Sequence, residues 1–481
     1  MPDATTVSAA VAAELEQHAS VVFALMGNGN AWFLDAVVRR GAMDVTLVRH
    51  EAATVAAADA HHRASGELAV ATTTYGPGFT DAITPLAEAA MARVPLVLVV
   101  GDQPTAGPRA WDVDQPASAR AVGATTIVAG PGDAAAAARR AAQTAIVERG
   151  PVVLAIPYDI AHAEAEAAAA APAPSAPQRR SSRPTSRSWS ERASTSSRPA
   201  SATPSAQMLA WCRSTCSSAR RTRASTSTYA VTPVSWPRRC WPSHAPTVRP
   251  TPSLGDRGWA EAGFADVTGS RLDREPGEPV APDGRLDPRS LFHALESILP
   301  ADGVIVSDGG HFIGWAPTHL SVADPERLLM VGTALQTIGL GFPSAVGAGV
   351  ARPESTIVLV SGDGGGLMGM ADLESVVREV RHGVVVIVHD AAYGAEVHQY
   401  AVRGVAEEPM LIEQVDFSTV ARGFGAEAAV IETLDGLQQL EAWLERGVEG
   451  VFLADCRVSR DVVAPYMLEV VEAATSSVSQ R

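Results

Sequence analysis

The sequence has little cysteine, few aromatic residues and a shortage of positive charge. Four cysteines occur in 481 residues and none forms a C-x-x-C pair, so neither a disulfide framework nor a zinc motif is implied. Lys and Arg number 38 against 53 Asp and Glu, and this net charge of −15 argues against nonspecific nucleic-acid binding. The first residues lack a basic segment followed by an apolar core, and no apolar run is long enough to span a bilayer. We therefore expect a cytoplasmic α/β protein with no nucleic-acid partner and no membrane partner.

Short apolar runs alternate with helical patterns in both outer parts of the chain. In the first part, strands are predicted at 21–27, 44–51, 68–74, 95–102 and 151–160, and helices at 7–19 and 51–66. In the last part, strands are predicted at 303–310, 355–360, 383–390 and 451–458, with a helix over 367–380. Alternating strand–helix units predict two doubly wound parallel sheets.

The middle of the chain has a different composition. Residues 173–254 are dense in Ser, Arg, Thr and Pro, hold three of the four cysteines and four of the nine tryptophans, and have Glu191 as almost their only acid. A basic disordered linker is one interpretation, but such linkers are poor in Trp and Cys. We prefer the hypothesis that this stretch is GC-rich coding DNA translated out of frame, in place of a core-forming domain. The predicted division is 1–165, a middle region 166–286 that is partly low-complexity, and 287–481.

One glycine-rich stretch, "VSGDGGGLMGMADLESVV" at 360–377, carries a carboxylate among residues suited to approach a phosphate. It joins a predicted strand to a predicted helix, and the next strand also ends in a carboxylate, Asp390. The carboxyl ends of parallel strands are where open α/β sheets bind ligands. Mg²⁺ held by Asp363 and Asp390 would carry a diphosphate there. The alternative is a Rossmann site, with Gly364, Gly366 and the glycine at 369 as fingerprint and Asp390 as ribose acid.

Further stretches carry a family resemblance. "VRHEAATVAAADAHHRASG", "TTYGPGFTDAITPLAEA", "FALMGNGN", "SDGGHFIGWAP" and "GTALQTIGLGFPSAVGA", together with the GDG stretch, resemble motifs of the thiamine-diphosphate-dependent 2-oxoacid enzymes, such as acetolactate synthase and benzoylformate decarboxylase. The resemblance covers both outer thirds of the chain. It implies a pyrimidine-binding domain first, a middle domain, and a diphosphate-binding domain last.

The resemblance also implies site residues. The family pattern places Asp363, Asp390 and the carbonyl of Ala392 on Mg²⁺, although His389-Asp390 stands here where the family has Asn-Asn. Asp remains a suitable hard-oxygen ligand, so metal binding is still expected. The residues expected to contact thiamine diphosphate are Gly76, Gly78, His311, Ile338, Gly339, Gly362, Gly364, Gly365, Tyr393 and Gly394.

Glu51 matches the family's catalytic acid. A carboxylate bonded to N1′ of the aminopyrimidine favours the tautomer whose 4′-nitrogen takes the C2 proton, so the acid should be largely buried. Outside this context, an acid at a helix start is simply favoured by the helix dipole. Ile338 stands where the family has a bulky residue that holds the cofactor bent, and Glu396 and His398 are candidates for substrate contact or proton transfer.

The expected function is decarboxylation, carboligation or both, acting on a small-molecule 2-oxoacid with thiamine diphosphate and Mg²⁺. The resemblance implies a homodimer or homotetramer with sites between subunits. Two alternatives stay open: an NAD-linked oxidoreductase with a Rossmann site, and a non-catalytic relative with the same fold.

Overall fold

The computed structural model of the protein describes residues 5–165 and 276–478. In the N-terminal region, residues 5–165, six strands form one parallel sheet. The strands are β1 (Ala19–Ala24), β2 (Asp44–Leu47), β3 (Leu68–Thr73), β4 (Leu96–Asp102), β5 (Thr125–Val128) and β6 (Pro151–Pro157). The helices are α1 (Val7–Leu15), α2 (Ala31–Arg40), α3 (Glu51–Ser65), α4 (Pro77–Asp81), α5 (Ile83–Ala92), α6 (Gln115–Ala121) and α7 (Ala134–Glu148).

The C-terminal region, residues 276–478, also forms a six-stranded parallel sheet. Its strands are β7 (Val304–Ser307), β8 (Leu328–Leu329), β9 (Ile357–Gly362), β10 (His382–His389), β11 (Glu427–Ile431) and β12 (Gly450–Arg457). Its α-helices are α8 (Pro288–Ile298), α9 (Ala316–His319), α10 (Gly341–Ala351), α11 (Asp363–Met368), α12 (Ala371–Glu379), α13 (Gly394–Tyr400), α14 (Phe417–Phe424), α15 (Gln438–Glu445) and α16 (Pro465–Val478). Short 3₁₀ helices lie at His311–Gly314, Pro325–Arg327, Ala401–Arg403, Glu408–Met410 and Leu434–Leu437.

The two sheets have the same topology. The strand order is β2-β1-β3-β4-β6-β5 in the first and β8-β7-β9-β10-β12-β11 in the second. In both sheets the connections leave in opposite directions from two neighbouring strands, β1 and β3 in the first sheet and β7 and β9 in the second. Such a topological switch point opens a crevice at the carboxyl ends of the strands. The fold therefore provides two corresponding crevices, one in each region.

Helix α3 of the N-terminal region packs against helix α10 of the C-terminal region. The helix α3 begins after His50, whose Nδ1 accepts the Ala52 N–H at 3.1 Å, and it ends at Gly66, which has a φ of 77°. A β-carbon at Gly347 in α10 would lie 2.1 Å from the carbonyl oxygen of Ala57, so the helices touch backbone to backbone. Alanine and glycine along these helices permit that approach, and one hydrophobic core continues from one region into the other.

The structure confirms the predicted fold class, two parallel α/β sheets, and every strand and helix expected from the sequence is present in some form. The helix predicted over 367–380 is wrong in detail. It begins at Asp363 and is interrupted at Gly369 and Met370, where a β-carbon at Gly369 would lie 2.9 Å from the Gly339 carbonyl oxygen and only glycine fits.

The strands β5, β8 and β11 were not predicted, because they are short or lie at sheet edges and have weak apolar patterns. The middle-region interpretation, including the out-of-frame hypothesis, lies largely outside the described residues. Within residues 5–165 and 276–478, helices with the length and apolar character needed to cross a bilayer are absent.

Candidate active site

Three carboxylates stand at the carboxyl ends of neighbouring strands in the C-terminal sheet. Asp308 follows β7, Asp363 follows the last residue of β9, and Asp390 follows β10. All three are buried, with exposed fractions of 1, 2 and 8%. Because β7, β9 and β10 are adjacent in the sheet, the fold gathers these side chains at the switch-point crevice.

The carboxylate of Asp363 is incompletely satisfied. Its Oδ1 accepts the Gly364 N–H at 3.0 Å, whereas its Oδ2 is buried and has no hydrogen-bond partner among the described residues. Burial, and then the neighbouring Asp390 carboxylate, raise the pKa of Asp363 to about 7. Burial likewise raises the pKa of Asp390 to about 6. Two adjacent carboxylates that resist ionisation form a site that a divalent cation would stabilise.

The turn after β10 brings the two other expected metal ligands together. Ala391 has a φ of 59°, a left-handed conformation that is unfavourable for alanine. The turn is held because the Ala392 N–H donates to Asp390 Oδ1 at 3.2 Å and the Ile412 N–H donates to the Ala391 carbonyl at 3.0 Å. A strained backbone that its surroundings enforce is common at functional sites.

His389, which departs from the family pattern, does not occupy the open oxygen of Asp363. Its Nδ1 lies 2.9 Å from Asp455 Oδ1, and its Nε2 lies 3.2 Å from Arg457 Nη1. Because a guanidinium can only donate, Nε2 is the acceptor and Nδ1 carries the proton. The 3.7 Å between His389 Nε2 and Asp363 Oδ2 therefore separates two acceptors and is not a hydrogen bond. The unpartnered Asp363 Oδ2, next to a second carboxylate, fits a bound Mg²⁺.

Glycines surround this pair of carboxylates where side chains would collide. A β-carbon at Gly394 would lie 2.6 Å from Asp390 Oδ2, and one at Gly364 would lie 2.7 Å from the ring of Tyr393. A β-carbon at Gly362 would lie 2.8 Å from the Phe312 ring, so that glycine serves the packing beneath the site. The glycines predicted from the sequence are thus needed for close approach, as expected of a cradle for a phosphate-bearing ligand.

Asp308 is a site residue that the sequence analysis missed. It accepts the N–H groups of Gly309 at 2.8 Å and Gly339 at 3.0 Å, and the hydroxyl of Ser361 at 3.1 Å. A β-carbon at Gly365 would lie 2.6 Å from its Oδ2. Asp308 thereby ties together the loop after β7, the segment before α10 and the end of β9. The available signal was its position directly after a predicted strand, like the two carboxylates that were recognised.

His311 and His398 lie together beside the carboxylates. Their ring centroids are 4.5 Å apart, and His311 Nε2 accepts the Ala464 N–H at 2.8 Å. Burial, followed by His398, lowers the pKa of His311 to about 3, so His311 is a neutral donor at Nδ1. Burial also lowers the pKa of His398, whose Nε2 has no partner among the described residues. Glu396, on the same helix, is exposed.

The remaining predicted residue of this region, Ile338, packs on the loop after β7. Its Cγ2 lies 2.9 Å from the position of a β-carbon at Gly309. Ile338 is followed by Gly339, which has a φ of 86° and donates its N–H to Asp308. The structure therefore brings Ile338, Gly339, His311 and the GDG turn into one crevice.

The N-terminal region gathers the other predicted residues at its own crevice. Glu51 is the first residue of α3, and a β-carbon at Gly78 would lie 3.4 Å from its Cγ. Gly76, with a φ of 61°, donates its N–H to Gln115 Oε1 at 2.8 Å and starts the turn into α4. Carboxylate or imidazole atoms of His50, Glu51 and Asp81 lie within 4.8 Å of one another.

Glu51 is half-buried, whereas a largely buried acid was expected. Its neighbours His50 and Asp81 are exposed, so Glu51 stands at the rim of the N-terminal crevice. The Thr54 hydroxyl donates to the backbone carbonyl of Glu51, and the Glu51 side chain lies beside the Gly78 turn, so both contacts stay within the N-terminal region. The predicted site residues thus form two groups, one in each crevice.

Comparisons with known proteins agree with this arrangement. Residues 5–121 match the family described as "Thiamine pyrophosphate enzyme, N-terminal TPP binding domain", and residues 308–456 match "Thiamine pyrophosphate enzyme, C-terminal TPP binding domain". Together these matches span more than half of the chain. The first contains Glu51 and the Gly76–Gly78 turn, and the second contains Asp308, Asp363 and Asp390.

Two curated relatives illustrate the family. The chain is 33% identical over 157 residues to the acetolactate synthase isozyme 2 large subunit of Escherichia coli, covering 32% of this chain and 28% of that protein. It is 28% identical over 156 residues to benzoylformate decarboxylase of Pseudomonas aeruginosa, covering 32% of this chain and 29% of that protein. The chain therefore matches less than a third of the length of either relative.

A solved structure extends the similarity of fold over nearly the whole chain. The thiamine diphosphate-dependent 4-hydroxybenzoylformate decarboxylase of Rhodococcus jostii aligns with a TM-score of 0.65, 17% identity, and coverage of 94% of this chain and 99% of that chain. At this identity the likeness supports the fold alone. With both cofactor-binding domains matched and two parallel sheets that present their expected residues at the switch points, the chain belongs to the thiamine pyrophosphate enzyme family, the 2-oxoacid enzymes that include acetolactate synthase and benzoylformate decarboxylase.

Proposed function

We propose that this protein uses thiamine diphosphate and Mg²⁺ to decarboxylate a 2-oxoacid, to transfer its acyl part to an acceptor, or both. The observation that carries the proposal is the buried, unpartnered Oδ2 of Asp363 beside Asp390. This arrangement lowers the stability of the folded protein unless a cation binds, because burying an unpaired charge costs free energy.

The C-terminal crevice would hold the metal and the diphosphate. Asp363, Asp390 and the carbonyl of Ala392 are the proposed Mg²⁺ ligands, and Gly364 and Gly365 let the backbone approach the phosphate oxygens. His311 supplies a neutral Nδ1–H donor, because its Nε2 is occupied by the Ala464 N–H. These groups bind and orient the cofactor and move no proton.

The N-terminal crevice would hold the aminopyrimidine. Bound thiamine diphosphate supplies a carbon nucleophile and an electron sink for a 2-oxoacid. Glu51, beside the Gly76–Gly78 turn, would hold a proton at the pyrimidine nitrogen. Ile338 would offer the cofactor a stiff β-branched side chain. Glu396 and His398, on the helix after the metal-binding turn, are the proposed substrate-contacting or proton-transferring groups.

The active assembly is proposed to be a homodimer or homotetramer with sites shared between chains. In support, Glu51 is only half-buried in a single chain, whereas its chemistry calls for a drier environment. Large apolar side chains are also exposed in the loops at the strand ends, including Met26 at 64% and Trp111 at 63%. Covering such groups is the usual role of an isologous interface.

The test compares the melting temperature of the protein with Mg²⁺ alone, thiamine diphosphate alone, both together, and NAD. A rise that needs both metal and thiamine diphosphate supports the proposal, because a ligand that binds the folded state stabilises it. A rise with NAD alone would instead support a Rossmann-type oxidoreductase.

The second stage measures CO₂ release and carbon–carbon bond formation from a panel of aliphatic and aromatic 2-oxoacids. CO₂ release without an acyl-transfer product would indicate a decarboxylase, and coupled product formation would indicate a carboligase. Cofactor binding with no turnover on any 2-oxoacid would contradict the catalytic part of the proposal and favour a non-catalytic relative.

A further inference from the structure

Two buried carboxylates reach across the boundary between the regions and accept backbone N–H groups on the other side. Glu88, in α5, is fully buried, and its Oε2 accepts the Leu335 N–H at 2.6 Å while its Oε1 accepts the Ala334 N–H at 3.3 Å. Asp372, in α12, is 3% exposed, and its Oδ1 accepts the Arg49 N–H at 2.9 Å. Each region therefore supplies one carboxylate that accepts hydrogen bonds from the backbone of the other region.

Each receiving segment leads directly to a proposed cofactor-facing residue. Leu335 lies three positions before Ile338, and Arg49 lies two positions before Glu51. Hydrogen bonds from a backbone N–H to a carboxylate are charge-assisted and fix the position of the backbone more firmly than neutral bonds do. The two carboxylates thus act on the backbone immediately upstream of the groups that the cofactor needs.

The loop that receives Glu88 depends on external anchors. Gly332 and Gln336 have φ values of 105° and 63°, and the Thr337 N–H closes the loop on the Gly332 carbonyl at 2.9 Å. A non-glycine residue in the left-handed region costs energy, so the loop keeps this shape only where its surroundings enforce it. Glu88 provides that constraint from the N-terminal region.

A cationic partner pairs with Glu88 and connects it to the helix that bears Glu51. Arg63, in α3, donates to Glu88 Oε1 at 3.2 Å and to Asp59 Oδ1 at 2.5 Å. Its Nη1 donates to the Met330 carbonyl at 3.3 Å. The same helix therefore begins at Glu51 and, three turns later, binds the start of the loop that ends at Ile338, through the hydrogen bond from Arg63 to the Met330 carbonyl.

We propose that Glu88 and Asp372 are reciprocal positioning residues, with Glu88 setting the position of Ile338 and Asp372 setting the position of Glu51. Through them, each half of the cofactor site is aligned by a side chain from the opposite region of the same chain. The inference rests on the proposed function for what Ile338 and Glu51 do, but the two hydrogen-bonded contacts can be tested without any cofactor.

The first experiment measures backbone hydrogen exchange in the ligand-free protein. Glu88→Gln and Glu88→Asp should speed exchange of the Ala334 and Leu335 amides about tenfold or more, and Asp372→Asn should do the same at Arg49. Glu88→Asp keeps a charge for Arg63 while shortening the reach, so it serves if Glu88→Gln fails to fold.

The matched control for Asp372 is Glu374→Gln. Glu374 lies on the same helix and pairs with the same residue, but through the Arg49 side chain, with a distance of 2.7 Å to Nε, and not through its backbone. Its side chain is 28% exposed. This control should leave exchange of the Arg49 amide unchanged. Equal exchange in the wild type and in all Glu88 and Asp372 variants would overturn the proposal, whatever the function of the protein.

The second experiment separates positioning from plain structural support. With bound cofactor, Asp372→Asn should slow exchange of the C2 proton about tenfold with little change in thiamine diphosphate affinity, because it acts through Glu51. The Glu88 variants should instead weaken thiamine diphosphate affinity about tenfold at saturating Mg²⁺, because they act through the loop of Ile338. A merely structural role would lower the melting temperature of the Glu88 and Asp372 variants without separating an effect on C2 proton exchange from an effect on cofactor affinity. That result would overturn the positioning roles. Absence of cofactor binding by the wild type would count against the proposed function and leave the ligand-free exchange result to decide the contacts.

Discussion

The Asp363→Asn variant should be more stable than the wild type when no ligand is present. It should be less stable than the wild type when Mg²⁺ and thiamine diphosphate are bound. The substitution removes a buried negative charge whose Oδ2 has no partner and which faces a second carboxylate. A buried charge without a partner costs at least as much as a buried, unsatisfied polar atom, about 1–3 kcal/mol, and the neutral amide removes that charge and its repulsion by Asp390. For a chain of this size each kcal/mol corresponds to about 2 °C, so the metal-free variant should melt about 2–6 °C higher than wild type.

Saturating Mg²⁺ and thiamine diphosphate should reverse that order. At a hundred times the dissociation constant, ligand binding stabilises the wild type by about 2.7 kcal/mol, while the variant offers the metal a neutral amide oxygen in place of a carboxylate and binds it less tightly. The assay is differential scanning calorimetry after treatment with a chelator, with and without both ligands.

The control is Asp455→Asn. Asp455 is also a buried carboxylate of this region, but it is satisfied by His389, the Phe417 N–H and Arg457. Breaking this paired charge should destabilise the metal-free protein by about 3 kcal/mol or more. If Asp363→Asn also melts below wild type without ligands, the argument from unpaired charge is refuted. If it retains the full ligand-induced shift, the metal assignment is refuted.

Three further predictions follow from the same geometry. Glu51→Gln should bind thiamine diphosphate and Mg²⁺ nearly as well as wild type but lose exchange of the C2 proton, and an unchanged exchange rate would remove Glu51 from the mechanism. Mixing Glu51→Gln with Asp363→Ala should restore part of the activity, because mixed dimers with shared sites hold one site free of both lesions; continued inactivity after verified subunit exchange would count against sites between chains. Gly394→Ala should weaken Mg²⁺ affinity at least tenfold, because its β-carbon would lie 2.6 Å from Asp390 Oδ2, whereas Gly423→Ala, with open space around it in a helix, should leave Mg²⁺ affinity unchanged and add about 0.5–1 kcal/mol of stability. Equal metal affinity in the two glycine variants would contradict the glycine argument.

Much of the fold was predictable because both regions repeat simple patterns. Runs such as residues 383–390 are apolar without alternation, as is typical of strands buried on both faces, and the structure shows that strand in the centre of its sheet. The break in the helix after Asp363 was not predictable from the pattern. The break coincides with the close approach of Gly369 to the Gly339 carbonyl, a contact between segments thirty residues apart that the local pattern does not reveal.

The candidate site was predictable where a local motif marks it and not elsewhere. Asp363 and Asp390 stand out because each directly follows a strongly apolar strand. Asp308 was missed although it follows a strand too. Its role appears only in the folded chain, where Gly309, Gly339 and Ser361, from three different segments, donate to its carboxylate. Glu88 and Asp372 resemble ordinary helix-surface acids in the sequence and become informative only through the backbone groups they reach.

The sequence by itself determined the two parallel sheets, the carboxylates at their strand ends and the glycines around them, because these depend on residue type and on neighbours along the chain. Only the tertiary structure decided which oxygen of Asp363 is left open, which nitrogen of His389 carries a proton, and which backbone amides Glu88 and Asp372 hold. Hydrogen bonds have directions and short ranges, so their pairing across distant segments is fixed only when the packed helices α3 and α10 bring those segments together.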